Sequence, residues 1–147
     1  MALKLTWREM ELSLEIRSYR TPPEHDDWDN WCKVDLNIKV GDYLDYSVID
    51  DEMLMSQEVL SLMSGLEKLL NGDITKQTQI GFIEPDLTFE LYPKSMLGKD
   101  ELDEWAELLI ALRLKDTNYN GAVLTLPLER GDIAALLGYL KGVVEDG

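Results

Sequence analysis

The sequence VDLNIKVGDYLDYSV, residues 34–48, alternates apolar and polar side chains on both sides of a Gly-Asp pair. Successive side chains of a β-strand point to opposite faces, so the alternation predicts two strands that each bury one face. Gly41 and Asp42 lie between them and predict a turn that brings the chain back antiparallel to itself. The stretch therefore predicts a β-hairpin, and with it an antiparallel sheet.

The same period of two extends upstream, and a helical period follows downstream. Residues 12–16 alternate as a strand, and Leu3-Lys4-Leu5 predicts a shorter one. From about Asp51 to Leu70, apolar residues recur at steps of three and four, which predicts an amphipathic helix. Asp50, Asp51 and Glu52 are placed at its start, where they would favour the positive end of the helix dipole, and Asn71-Gly72 closes it.

Strands resume in the second half. Residues 80–83 and 87–91 are candidates, each bounded by a proline. Residues 105–115 are ambiguous, because their composition favours a helix whereas their apolar residues alternate; the turn sequence at 118–121 and a partner at 122–126 favour a hairpin. Residues 133–144 have the helical period again. The order strands, helix, strands, helix predicts one α+β domain over residues 1–147, a mostly antiparallel sheet with two helices packed on one face.

The composition is strongly acidic and holds few catalytic side chains. Twenty-nine acidic residues outnumber fourteen basic ones, for a net charge of −15, with one histidine and one cysteine. Each third of the chain is acidic to a similar degree, so the charge belongs to the whole folded surface. Such a surface repels nucleic acid and anionic membranes and attracts cationic proteins. The sequence has no signal-peptide pattern and no long apolar run, which predicts a cytoplasmic protein.

The loop at residues 21–30 holds the densest group of ligand-type side chains. Its acidic spacing does not match a calcium loop, and a transition metal would need more nitrogen or sulfur ligands than His25 supplies. A solvated loop and a partner-binding loop with an aromatic anchor stay open as interpretations. Cys32 is expected to be a small buried hydrophobe. No cofactor is predicted, and two acidic groups on the hairpin and in this loop are the candidates for partner binding: Asp26, Asp27, Trp28, Asp29, Asp42, Asp45, Asp50, Asp51 and Glu52.

Four short motifs lie along the chain from residue 31 onward. They are Val34–Val40 leading into residues 41–46, the helix at 60–70 closed by Asn71-Gly72, residues 84–89, and residues 124–128 leading into the helix at 132–140. Together they resemble the WapI-like immunity proteins of bacterial contact-dependent and cell-wall-associated toxin systems, and the resemblance covers most of the chain from residue 31 onward. It implies a cytoplasmic protein that neutralises a toxin, often a nuclease, by occluding it, and it implies no catalytic residues.

The residues leave three functions to compare. The first is a non-enzymatic interaction protein that inhibits a cationic toxin. The second is a small-molecule or carbohydrate-binding domain that uses the open face of the sheet, and the third is a hydrolase that depends on paired carboxylates. A homodimer through an edge strand or the free sheet face is also open, although a charge of −15 on each copy opposes it.

Overall fold

A computed structural model describes residues 2–22, 30–93, 95, 104–113 and 122–146. Two sets of four antiparallel strands are each followed by a helix, which confirms the predicted α+β class and element order. The elements are β1 (Leu3–Trp7), β2 (Met10–Arg17), β3 (Trp31–Val40), β4 (Leu44–Met55), α1 (Ser56–Leu70), β5 (Thr78–Ile80), β6 (Leu87–Leu91), β7 (Glu104–Ala111), β8 (Val123–Glu129) and α2 (Arg130–Asp146).

The antiparallel strands form two sheets, with the orders β1-β2-β3-β4 and β5-β6-β7-β8. Contacts between residues divide the chain into two compact units. The first comprises Met1–Met63 and Ala135–Gly147, and the second comprises Ser64–Ala134. Both boundaries fall inside a helix, so each helix begins in one unit and ends in the other.

The first sheet buries the apolar rows that the alternation predicts. In one row Leu5 pairs with Leu12, which pairs with Ile38. These three side chains are 1–3% exposed. The opposite face carries the polar residues of the same strands, because a period of two places them there. The sheet therefore has one apolar face and one charged face.

The predicted start of the first helix is wrong. Asp51 to Met55 continue β4, and α1 begins only at Ser56. Two register shifts in the pairing of β3 with β4 add an extra residue to β4 each time, and Met53, Leu54 and Met55 are all buried. Irregular strand pairing of this kind hides the period of two, which is why the segment reads as helical.

Both helices begin with the same local device. The backbone N–H of Met55 donates to Glu58 Oε1 at 2.9 Å, and the N–H of Glu129 donates to Asp132 Oδ2 at 2.9 Å. An acidic residue in the first turn thus satisfies a backbone donor just before each helix and meets the positive end of the dipole. Glu58, and not the acidic group at 50–52, has this role at α1.

The end of α1 is as predicted. Gly72 has a φ of +76°, in the left-handed region that favours glycine. The N–H of Gly72 donates to Leu69 O at 3.2 Å, and the N–H of Asp73 donates to Lys68 O at 2.9 Å. This is the pair of hydrogen bonds of a Schellman motif, which satisfies carbonyls at the end of a helix.

The second sheet confirms the strand reading of the ambiguous segment. β7 buries Ala106, Leu108 and Ile110, and it pairs with β6 on one side and β8 on the other. β8 extends past the predicted end to Glu129 and includes Pro127. β8 lies at the edge of its sheet, where a residue without an N–H donor is tolerated. The expected turn at 118–121 lies outside the described residues.

Glycines inside the two helices allow a matched test of packing. A Cβ at Gly138 or Gly142 of α2 would meet nothing within 4 Å, whereas a Cβ at Gly65 of α1 would overlap Ile80 Cδ1. We expect Gly138→Ala and Gly142→Ala each to raise the free energy of unfolding by about 0.5–1 kcal/mol, because glycine lowers helix stability by that amount. Gly65→Ala should give no gain, since Ile80 must shift. Urea unfolding of the three variants makes the comparison; an equal gain at all three positions would contradict it.

Candidate functional site

The structure places five of the predicted binding residues on one hairpin of the first unit. Asp42 lies in the turn after β3, and the other four lie on β4, an edge strand of its sheet. Asp42, Asp45, Asp50 and Glu52 are exposed, whereas Asp51 is half-buried. The other predicted residues, Asp26, Asp27, Trp28 and Asp29, lie outside the described part of the chain.

Two adjacent turns meet at the end of this sheet. The N–H of Gly41 donates to Glu9 O, in the turn between β1 and β2, at 3.1 Å. The N–H of Tyr43 donates to Val40 O at 2.9 Å. Gly41 has a φ of +50°, a backbone conformation that residues other than glycine rarely adopt. The hydrogen bonds fix the turn and present Tyr43, whose side chain is 88% exposed.

Two shallow hollows share this turn. One, of about 310 Å³, is lined by Lys39 and Asp45 together with the turn. The other, of about 550 Å³, is lined by Glu9 and the same turn. Both include Gly41, Asp42 and Tyr43, so the turn separates two concave surfaces. We call Glu9, Lys39, Asp42, Tyr43 and Asp45 the turn surface.

Asp50 belongs to a charge network on the polar face of the sheet. The Arg17 guanidinium binds the carboxylates of Asp35 and Asp50, with Nη2 at 3.0 Å from Asp35 Oδ1. Asp50 has a φ of +57° beside a register shift, and its N–H donates to Asp35 Oδ1 at 2.8 Å. Glu15 and Asp35 are cross-strand partners of like charge, and Arg17 lies between them and offsets the repulsion.

The network shifts the pKa values of its members. The Arg17 guanidinium holds the pKa of the Asp35 carboxyl below its usual value of 3.8, and the hydrogen bond from Asp50 N–H acts in the same direction. Hydrogen bonds to Asp35 and Asp50 raise the pKa of Arg17. Asp35 is therefore held as a carboxylate and not as a proton donor.

The remaining predicted residues differ in how far they are engaged. Glu52 Oε1 lies 3.0 Å from Lys33 Nζ, and Asp45 Oδ1 accepts a hydrogen bond from Asn37 Nδ2 at 2.9 Å. Within the residues that the structure describes, Glu9 and Asp42 form no ion pair. An incoming cation can therefore bind the carboxylates of Glu9 and Asp42 without breaking an ion pair, whereas Asp50 and Glu52 would have to exchange partners.

The lowered pKa of Asp35 has a consequence for stability in acid. Its contribution is fully present above the unfolded-state pKa near 3.8 and is lost as the pH falls through the lower folded-state value. Asp35→Asn should therefore be less stable than the wild-type protein at pH 7, and the difference should shrink below pH 3.8. Unfolding midpoints across this range measure it, with exposed Asp73→Asn as the control. A difference that grows in acid would contradict the assignment.

Few sequence signals indicate this site in advance. The hairpin and its acidic residues are predicted, but the contacts of Arg17 and the exposure of Tyr43 are not.

Cys32 is buried with its Sγ 3.8 Å from Ser56 Oγ, as expected of a small hydrophobe, and burial raises the pKa of its thiol. In the described ranges, no cluster of three or more histidine, cysteine or acidic residues could hold a metal ion. No helix in those ranges is long and apolar enough to span a membrane.

Comparison with known proteins supplies the family. Residues 5–146 match the model of the immunity protein WapI-like family. The chain belongs to the WapI-like immunity protein family. The match covers nearly the whole chain, including the strands, the turn surface and both helices, and it confirms the resemblance seen in the short motifs. Searches of curated proteins and of solved structures gave no match.

Membership of this family gives the chain an immunity function, with a toxin as its partner. The family match by itself does not distinguish one face of the fold from another. In the described geometry, the turn surface combines exposure, a turn fixed by hydrogen bonds, and two carboxylates, Glu9 and Asp42, that form no ion pair within the described residues.

Proposed function

We propose that this WapI-like protein neutralises a cationic toxin in the cytoplasm by binding and occluding it, without catalysis. The toxin class that fits best is a nuclease, because such an enzyme needs a positively charged groove for its phosphate substrate. The acidic hairpin, with Asp42, Asp45, Asp50, Asp51 and Glu52, would face that groove together with the loop residues Asp26, Asp27, Trp28 and Asp29. The observation that carries the proposal is the family match on a chain of net charge −15.

Electrostatics supports a basic partner. A net charge of −15 on 147 residues gives a negative potential that attracts cationic proteins over a Debye length and raises their association rate. The exposed carboxylates of β4 and the turn lie on one hairpin, which gives a basic partner a concentrated acidic surface to contact. Complementary charge of this kind also selects against acidic partners.

The carboxylate chemistry supports binding in preference to hydrolysis. A hydrolase of the paired-carboxylate type needs one acid that keeps its proton near neutral pH, and hence a raised pKa. Asp35 and Asp50 are a close pair in the described region, but both bind Arg17, and the pKa of Asp35 is lowered. They fit an ion-pair network better than an acid and base pair.

The carbohydrate-binding alternative rests on the polar face of the first sheet. Trp31 lies on that face and lines a hollow of about 400 Å³ with Arg20, Lys33 and Glu52. Sugar-binding faces use aromatic side chains as platforms, but here Lys33 and Glu52 pair with each other across the hollow. Polar residues further along the same strand, such as Asp35 and Lys39, are charged, which favours a protein partner.

We expect the neighbouring gene to encode a secreted protein with a basic C-terminal toxin domain, and an inactivated form of that domain is the probe for a direct test. We expect tight binding in isothermal titration calorimetry, and we expect co-expression of the wild-type chain to restore growth of cells that carry the active toxin domain. An acidic globular protein of similar size is the control for nonspecific charge effects. Failure of the wild-type chain both to bind and to protect would overturn the proposed function.

A further inference from the structure

We propose that the turn surface is the anchor of the toxin interface, with Tyr43 receiving an arginine side chain of the toxin. This inference rests on the proposed function and names the residues at the centre of the toxin interface. The side chain of Tyr43 is 88% exposed, the largest value among the large hydrophobic residues in the described regions. An exposed aromatic residue of this kind is a typical interface anchor, because tyrosine contributes a large, rigid contact area.

The turn is built to hold Tyr43 in place. The N–H of Tyr43 donates to Val40 O, which closes the turn, and the N–H of Gly41 donates to Glu9 O, which ties it to the turn between β1 and β2. Gly41 at a φ of +50° permits the tight return of the chain. The backbone that carries the ring is therefore already ordered when a partner binds, which lowers the entropic cost of association.

The charges around the ring select the partner's chemistry. Glu9, Asp42 and Asp45 line the two hollows, and Lys39 is the cation among their lining residues. The surface thus carries an excess of carboxylates beside an exposed aromatic face. A guanidinium can stack on the ring and bind a carboxylate with its edge at the same time, whereas the point charge of a lysine cannot.

Among the described residues, an arginine guanidinium lies over an aromatic ring at two places. The guanidinium of Arg8 lies 4.6 Å from the centre of the Trp7 ring, and that of Arg130 lies 5.7 Å from the centre of the Trp105 ring. Tyr43 forms no such stack within the described residues. The toxin would supply the arginine that Tyr43 lacks, and the carboxylates of Glu9 and Asp42 would bind it without displacing an internal partner.

The test measures binding of the inactivated toxin domain to matched variants. By analogy with aromatic hot spots, Tyr43→Ala should weaken binding at least about 30-fold. Tyr43→Phe should bind within about threefold of wild type, because the ring face is kept. Glu9→Gln combined with Asp42→Asn should slow association by about tenfold at low salt. Circular dichroism confirms that each variant folds.

Two controls separate the anchor from general effects. Asp73→Asn combined with Glu145→Gln also removes two negative charges, but at exposed positions outside the turn surface. Ile83→Ala truncates another exposed hydrophobic residue. Both should bind like wild type. If Tyr43→Ala also bound like wild type, or if the control pair slowed association as much as the turn pair, the anchor would be overturned while the proposed function stood. If the wild-type chain did not bind, the proposed function itself would fail.

Discussion

Replacing Asp86 by asparagine is expected to lower the free energy of unfolding by about 2–4 kcal/mol. The Asp86 side chain is 1% exposed, and it accepts two parallel hydrogen bonds from Arg113, at 2.7 Å from Nε and 2.8 Å from Nη2. The two residues flank β6 and β7, and the backbone of Asp86 also accepts the N–H of Ala111. An amide cannot replace this bidentate carboxylate, so the two charge-assisted hydrogen bonds between Arg113 and Asp86 would be lost.

Urea unfolding followed by tryptophan fluorescence measures the effect. Asp73→Asn, the same chemical change at an exposed position, should alter stability by less than about 0.5 kcal/mol. The single variant Arg113→Met and the double variant Asp86→Asn with Arg113→Met complete a double-mutant cycle. The double variant should recover part of the loss, because both charges are then removed. A loss below about 1 kcal/mol for Asp86→Asn would show that the pair is not a structural requirement. One cooperative transition in the wild-type curve would bear out the prediction of a single domain.

The association rate constant for the toxin domain should fall by about 10- to 100-fold as salt is raised from about 20 mM to 500 mM. The reason is the net charge of −15, whose attraction for a basic partner is screened once the Debye length becomes shorter than the approach distance. The dissociation rate should change much less, because close contacts such as those of Tyr43 are screened weakly.

Stopped-flow mixing at several salt concentrations separates the two rates. Glu9→Gln combined with Asp42→Asn should show a shallower salt dependence of association than wild type. The control pair Asp73→Asn with Glu145→Gln should keep a slope close to that of wild type, if the turn surface directs the approach. An association rate that does not change with salt would contradict a cationic partner.

The fold could be predicted from the sequence wherever a regular period is unbroken. The alternation of residues 34–48 gives the hairpin, and the period of residues 133–144 gives α2. The start of α1 could not be placed, because two bulges in β4 bury Met53, Leu54 and Met55 together. Three consecutive buried residues break the alternation that predicts a strand, and they give no signal for the residue at which the helix begins.

The site could be predicted only in part, because composition reports charges but not their partners. The acidic residues of the hairpin are visible in the sequence, whereas the contacts of Arg17 with Asp35 and Asp50 join three strands across register shifts. The left-handed conformation of Asp50 has no signal in its neighbours. The exposure of Tyr43 is not predicted either, although its position directly after the predicted Gly41-Asp42 turn is a signal for it, because turns expose their side chains.

Stoichiometric titration of toxin activity with the wild-type chain tests most directly whether protection comes from occupying the toxin. We predict that residual activity falls linearly and reaches zero near one chain per toxin domain, at once on mixing, and that toxin released from the complex regains its full activity. Loss of activity that progresses with time at a small fraction of one equivalent, and persists after separation, would show that the chain modifies the toxin and would contradict neutralisation by binding.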